Sequence, residues 1–213
     1  MRVVDILEKD GAGLNLTLEV RDGIARHSKG CRPIFSSDPE DHQPRTLEGH
    51  IVRIADSIAY INHDLDDALR AGVITYADPP GETLKRLGIT HSQRINTMVT
   101  DIVKATLEAG LSRIAMSQEV MEVTEGLRSF LFDRVYSHEK VHKEFVKASK
   151  ILADLFNYFM ENPKEAFANS DHTEVHDEQS RSRMACDFIA GMTDRYALNI
   201  YQRTFLPEPW VVL

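Results

Sequence analysis

The sequence predicts an all-α protein. Three observations carry this: apolar residues recur at i, i+3 and i+4 along most of the chain, β-branched alternation of period two is scarce, and the periodic stretches stop at Gly or Pro. The 213 residues are 42% apolar and 27% charged, a composition that suits a packed core rather than disorder.

The elements follow in order. A short apolar segment, Val3 to Leu7, leads through Lys9-Asp10-Gly11-Ala12-Gly13 into a helix expected from about Asn15, with Leu16, Val20 and Ile24 on its stripe and Gly30 at its end. From Gly30 to Pro44 three prolines and many turn formers predict a loop, long enough to suggest a function. Thr46 offers an N-cap for a long helix to about Ala71, closed by Gly72. A short helix at Glu82 to Arg86, one from His91 or Ser92 to Ala109, and one from Ser117 to Asp133 come next. Glu139 to Met160 carries Val141, Phe145, Ala148, Ile151, Leu152, Leu155 and Phe159 at helical spacing and is expected to be core, stopping before Pro163. After a turn-like stretch at 168–173, helix resumes from Glu174 to Phe205 with a break at Gly191-Met192-Thr193.

Composition also narrows function. No run of about 18 apolar residues occurs and the N-terminus has no signal-peptide character, so neither a membrane span nor export is expected. Cys31 and Cys186 lack a CxxC partner, which predicts reduced thiols in a cytoplasmic protein rather than a disulfide or thiolate zinc site. A formal net charge of −8 argues against a nucleic-acid coat, though not against a phosphorylated small molecule held locally.

The helix from 46 to 71 carries the chemistry. At about 100° per residue, Ile51, Ile54, Ala55, Ile58, Ile61, Leu65 and Leu69 share one face, and Arg53, Asp56, Tyr60, Asp64 and Asp67 the other. A solvated face is usually rich in Lys and Glu at i,i+4; this one has neither from 49 to 72, and sets a Tyr between two short aspartates. Short carboxylates suit metal ligation or a hydrogen bond to a hydroxyl.

The pattern Asp56-x-x-x-Tyr60-x-x-x-Asp64, followed by Asp66-Asp67-Ala68-Leu69-Arg70-Ala71-Gly72, resembles the deoxynucleoside triphosphate triphosphohydrolases of the HD superfamily. Gly13-Leu-Asn-Leu-Thr17 with Glu19, Thr90-His-Ser-Gln-Arg-Ile-Asn-Thr97 and Asp187-Phe-Ile-Ala-Gly-Met-Thr-Asp-Arg-Tyr196 are similar to the same family, so the resemblance spans nearly the whole chain. It implies a multi-helix HD-like bundle, with residues 1–110 the remainder of the HD-type domain and 111–213 a phosphohydrolase-associated region. It further implies Asp56 as a ligand of a divalent metal, magnesium or manganese, Tyr60 beside the triphosphate and Asp64 on the sugar 3′-hydroxyl. The substrate would be a deoxynucleoside triphosphate, cleaved to deoxynucleoside and triphosphate, by a homo-oligomer. Some members place a phosphate-binding lysine directly after the metal aspartate; here Ser57 stands there, so Arg53 and Arg94 are the candidate phosphate contacts.

Two His-Asp pairs, His63-Asp64 and His176-Asp177, are rejected as the metal-binding pair: the first lies on the helix that bears the last ligand, and the second reads as a helix start or exposed turn. The family's histidine and His-Asp ligands are expected upstream of the segment that matches Met1 to Asp5, so the chain is expected to be the C-terminal part of the enzyme and not catalytically complete alone. Two other readings stand beside it: a non-catalytic nucleotide-binding or oligomerisation module, and a metal site rebuilt from His42, His50 or His91. His138 and His142 are read as surface or satisfied groups.

Overall fold

The computed structural model describes residues 1–28, 30, 32–35, 42–166 and 177–207. Among them are nine α-helices and no strand, as the all-α expectation requires. They form two compact units, Met1–His138 and Glu139–Leu213.

In the first unit a π-helical turn, Val3–Leu7, precedes α1, Leu18–Arg26. Asn15 has φ 50°, a left-handed conformation that keeps helix from starting there; Thr17 caps α1 instead, its Oγ1 accepting the Val20 N–H at 3.4 Å. The long helix α2, Leu47–Arg70, opens on Thr46, whose Oγ1 accepts the Gly49 N–H at 3.1 Å. It ends at Ala71 with Gly72 at φ 63°. Helices α1 and α2 approach closely where both are glycine: a Cβ on Gly23 would stand 3.4 Å from the Gly49 Cα.

The inner row of α2 is Ile54, Ile58, Ile61, Leu65 and Ala68. The rest of its circumference departs from the two-faced reading. Arg53, Ser57 and Asn62 are buried, whereas Ile51 is 51% exposed and Ala55 is exposed. The cause is that α1, α4 and α5 all pack on α2, so burial follows three neighbours rather than one apolar stripe.

Helix α3, Thr83–Leu87, leads to α4, His91–Glu108, which begins with a reciprocal cap. The Thr90 hydroxyl accepts the Gln93 N–H at 3.3 Å and the Gln93 side chain accepts the Thr90 N–H at 3.1 Å. Helix α5, Gln118–Leu131, starts at Ser117, which Asp101 of α4 holds through its N–H at 2.8 Å and its hydroxyl at 2.6 Å. A π-helical turn, Phe132–Tyr136, extends α5. Leu87, Met98, Leu127, Leu131 and Val135 close the core over α2. By packing, α5 therefore belongs with α2 and α3, although the expected module division by sequence lies near residue 110.

The second unit holds α6, Glu139–Glu161, then α7, Pro163–Ala166, α8, Glu178–Ala190, and α9, Asp194–Phe205. Its core is Leu155, Phe159, Ala185 and Ala197. Only the last turns of α6 contribute, so the expectation that its whole apolar stripe is core is corrected: Phe145 stays 68% exposed. Thr193 caps α9 at the expected break, accepting the Tyr196 N–H at 3.2 Å. Asp177 caps α8 by accepting the Ser180 N–H at 2.8 Å, the helix-start role read for it; His176, Glu174, the turn-like 168–173 and Cys31 lie outside the described residues. Among the described residues no helix is long and apolar enough to cross a membrane.

Candidate functional site

Asp56, Tyr60 and Asp64 recur every four residues on α2, one per helical turn with a slow drift. Arg128, Phe132 and Tyr136 recur at the same interval where α5 runs into its π-helical turn. That widened turn suits the four-residue interval, because a π turn takes more residues than an α turn. The two rows face one another. Asp56, Tyr60, Arg128, Phe132 and Tyr136 line one cavity of about 390 Å3, with Ser28 and Gly30 at its rim. This is within the size range of small-ligand sites.

The rows are joined at one end by the Tyr136 hydroxyl, which donates to the Asp64 carboxylate. Burial pushes the Asp64 carboxyl above its ordinary range; the Tyr136 hydrogen bond opposes this, and the neighbouring Asp67 charge adds to it. Burial, then the hydrogen bond to Asp64, raises the Tyr136 phenol, so it stays a neutral donor. Tyr60 is 62% exposed, its ring available at the mouth of the cavity. Arg128 is held by Glu125 at 3.1 Å, by the Gly30 carbonyl at 3.5 Å and over the Phe132 ring at 5.2 Å. Among the described residues it is the one cation lining the cavity.

The two arginines picked from sequence lie elsewhere. Arg94 has no exposed surface, and its guanidinium donates to the Asn62 side chain at 2.8 Å, the Ile89 carbonyl at 2.7 Å and the Asp66 carboxylate. It braces α4 against α2, and with its nitrogens committed inside the fold it has no face for a ligand. Arg53 is buried, donates to the Arg26 carbonyl at 3.0 Å, and lines a separate depression with His50 and Arg113.

The histidines do not converge on Asp56 either. His91 pairs with Asp66 at 2.9 Å and stacks on His63 at 4.8 Å between ring centres, and His50 lines the Arg53 depression. Among the described residues no group of three His, Cys, Asp or Glu side chains could hold a metal ion. Asp56 offers a single carboxylate, and among the described residues no further His, Cys, Asp or Glu stands with it to complete a protein-ligated metal site.

The sequence does not single out Arg128 and Tyr136, because the helix expected from Ser117 to Asp133 has an ordinary amphipathic pattern and Tyr136 lies beyond its expected end. Their signal was the repeated interval: a cation, a ring and a phenol at i, i+4 and i+8, matching the acid, phenol and acid of α2.

Comparison with known proteins fixes the kinship. Residues 114–203 match the phosphohydrolase-associated domain. A deoxyguanosinetriphosphate triphosphohydrolase-like protein of Desulfatibacillum aliphaticivorans is 45% identical over 221 residues, covering 99% of this chain and 61% of that relative. The chain is a homologue of the deoxyguanosinetriphosphate triphosphohydrolase-like proteins. Others with the same name, from Caldanaerobacter subterraneus subsp. tengcongensis and Clostridium tetani, are 44% and 36% identical over 99% and 98% of this chain. The chain spans 58% of each of these two. The Desulfatibacillum relative thus has about 140 residues that this chain does not match.

Proposed function

We propose that this chain is the C-terminal part of a metal-dependent deoxynucleoside triphosphate triphosphohydrolase and supplies one wall of its substrate site. The observation that carries the reading is the opposition of Asp56 and Tyr60 to Arg128, Phe132 and Tyr136 across one cavity, with Asp64 tied to Tyr136 at the end of the two rows. The reaction adds water to the α-phosphate ester and releases a deoxynucleoside and intact triphosphate.

In this reading Asp64 accepts a hydrogen bond from the sugar 3′-hydroxyl, and Tyr136 fixes the carboxylate that does so. Tyr60 packs beside the sugar and triphosphate. Arg128 contacts a phosphate oxygen and takes the part that Ser57 cannot, which Arg53 and Arg94 were expected to share. Asp56 is one ligand of a divalent ion, magnesium or manganese, whose remaining ligands come from outside this chain. The chain alone is then a nucleotide-binding wall without hydrolytic activity, and the longer protein a cytoplasmic homo-oligomer.

Two measurements test this. Equilibrium dialysis of the four deoxynucleoside triphosphates against the 213-residue chain should give weak binding that Arg128→Ala and Asp64→Asn each reduce. A longer protein carrying this sequence should release inorganic triphosphate; release of pyrophosphate or orthophosphate alone would overturn the assignment.

A further inference from the structure

Next to the Asp56 face, α2 and α4 leave a second depression of about 340 Å3 with scarcely a polar atom in its wall. Ile51 and Ala55 form one bank, Val99, Val103 and Leu107 the other, and Leu111 closes one end. Val103 is 52% and Leu107 60% exposed, although both are aliphatic and sit in well-formed helix. Val99, Val103 and Leu107 stand four residues apart, so the α4 bank is a straight ridge about 12 Å long at 1.5 Å per residue. A trough between two such ridges accepts one further helix, its side chains entering the groove. A continuous aliphatic surface of this kind marks an interaction face.

A second copy of this chain fits the trough poorly. When the same patch meets itself across a two-fold axis, one concave aliphatic trough facing another leaves both unfilled. Among the described residues no charged side chain lines it, so it does not suit a phosphorylated or anionic ligand either. The relatives, however, carry a further segment, long enough for several helices, that this chain does not match.

We propose that the α2/α4 trough seats an amphipathic helix from the portion of the longer relatives that this chain does not match, packed by its aliphatic i, i+4 edge between Ile51 and Val103. The inference uses the kinship but not the proposed activity, and its test reads burial rather than turnover.

Val103→Cys and Tyr76→Cys are made separately in a Cys31→Ser, Cys186→Ser background; Tyr76 is an exposed control outside the trough. Maleimide labelling is compared between this chain alone and a chimera that adds the unmatched portion of the Desulfatibacillum relative in that relative's own order. Val103→Cys should label about tenfold or more slowly in the chimera, as expected for a side chain reached only by local opening, while Tyr76→Cys keeps its rate. Equal labelling of Val103→Cys in both proteins overturns the proposal. Protection in the chain alone that grows with its concentration also overturns it, in favour of a second copy. As an independent reading, Leu107→Asp should leave the melting temperature of the chain alone unchanged and lower that of the chimera, or of the two pieces co-expressed; an equal effect in both overturns the assignment.

Discussion

Tyr136 donates its hydroxyl to Asp64 across 72 residues of sequence, tying the end of the α5 row to the α2 row. The bond does two things: it fixes the orientation of the carboxylate, and it opposes the upward push that burial gives the Asp64 carboxyl. Tyr136→Phe removes both while keeping the ring and its edge contact with Phe132 at 4.9 Å. The Asp64 carboxyl should then titrate higher still, measured by NMR, and nucleotide binding to the chain should weaken by roughly tenfold, the scale of one hydrogen bond to a charged group. A lower Asp64 value in the variant would contradict the electrostatic account.

The same raised carboxyl sets a pH dependence. A group whose folded pKa exceeds its unfolded value contributes stability that is present below the unfolded pKa and is lost as pH rises through the folded one. For Asp64 that loss begins near the ordinary carboxylate value of about 4 and is complete above its raised value. Asp64→Asn removes the titration but keeps a carbonyl for Tyr136. Its melting temperature should equal or exceed that of the unaltered chain at neutral pH, with the gap closing towards pH 3, while nucleotide binding is lost. A less stable Asp64→Asn at neutral pH would argue that the ionised carboxylate is favoured by the fold.

The elements of the fold were legible because their signals are local: Thr46, Ser117 and Thr193 each act as the cap at the helix start that the sequence marks. The α2 row was legible because short acids and a phenol on a helical stretch without Lys or Glu, 49 to 72, are unusual. Arg128 and Tyr136 were not, because their repeated interval on α5 gains meaning as a candidate site only through contact with a helix some seventy residues earlier, which no local pattern announces. Arg94 misled for the converse reason. A guanidinium in a polar helical stretch reads as surface, and only the meeting of Asn62, Asp66 and the Ile89 carbonyl makes it core.

Arg94 should accordingly govern stability. Arg94→Met leaves the Asn62 carbonyl, the Ile89 carbonyl and the Asp66 carboxylate without their donor in the interior. The cost should be roughly 3 kcal/mol in urea unfolding, in the range for breaking one side of a buried charged network. Arg94→Lys should recover little of it, since one ammonium cannot reach three acceptors set by a planar fork. A loss within error of zero would show that these contacts are not maintained in solution.

Gly49 and Gly126 make a paired test of close packing. A Cβ on Gly49 would lie 2.6 Å from the Pro44 Cβ, so Gly49→Ala forces α1, α2 and the Pro44 turn apart and should cost about 1–3 kcal/mol. A Cβ on Gly126 meets nothing within 4 Å in the interior of α5, and Gly126→Ala should gain about 0.5–1 kcal/mol through helix propensity. Chemical denaturation of both variants reads the pair, and equal signs would show that the α1/α2 crossing is looser than its geometry.

Asp56 and Arg128 face the same cavity but are given different work, and kinetics in a longer protein carrying this sequence separates them. If Asp56 is a metal ligand, Asp56→Ala removes a group needed at the transition state, and triphosphate release should fall by a factor of at least about 1000 at any substrate concentration, the scale of losing one electrostatic stabiliser. If Arg128 holds a phosphate in ground and transition states alike, Arg128→Ala raises KM about tenfold with a smaller fall in kcat. Asp56 is partly buried and its side chain makes no hydrogen bond or ion pair among the described residues, so Asp56→Ala should melt as the unaltered chain does. Arg128 links Glu125, Gly30 and Phe132, so Arg128→Ala should lose about 1 kcal/mol as well. Normal triphosphate release by Asp56→Ala would remove that residue from the site, and an unchanged KM in Arg128→Ala would remove the guanidinium from the phosphates.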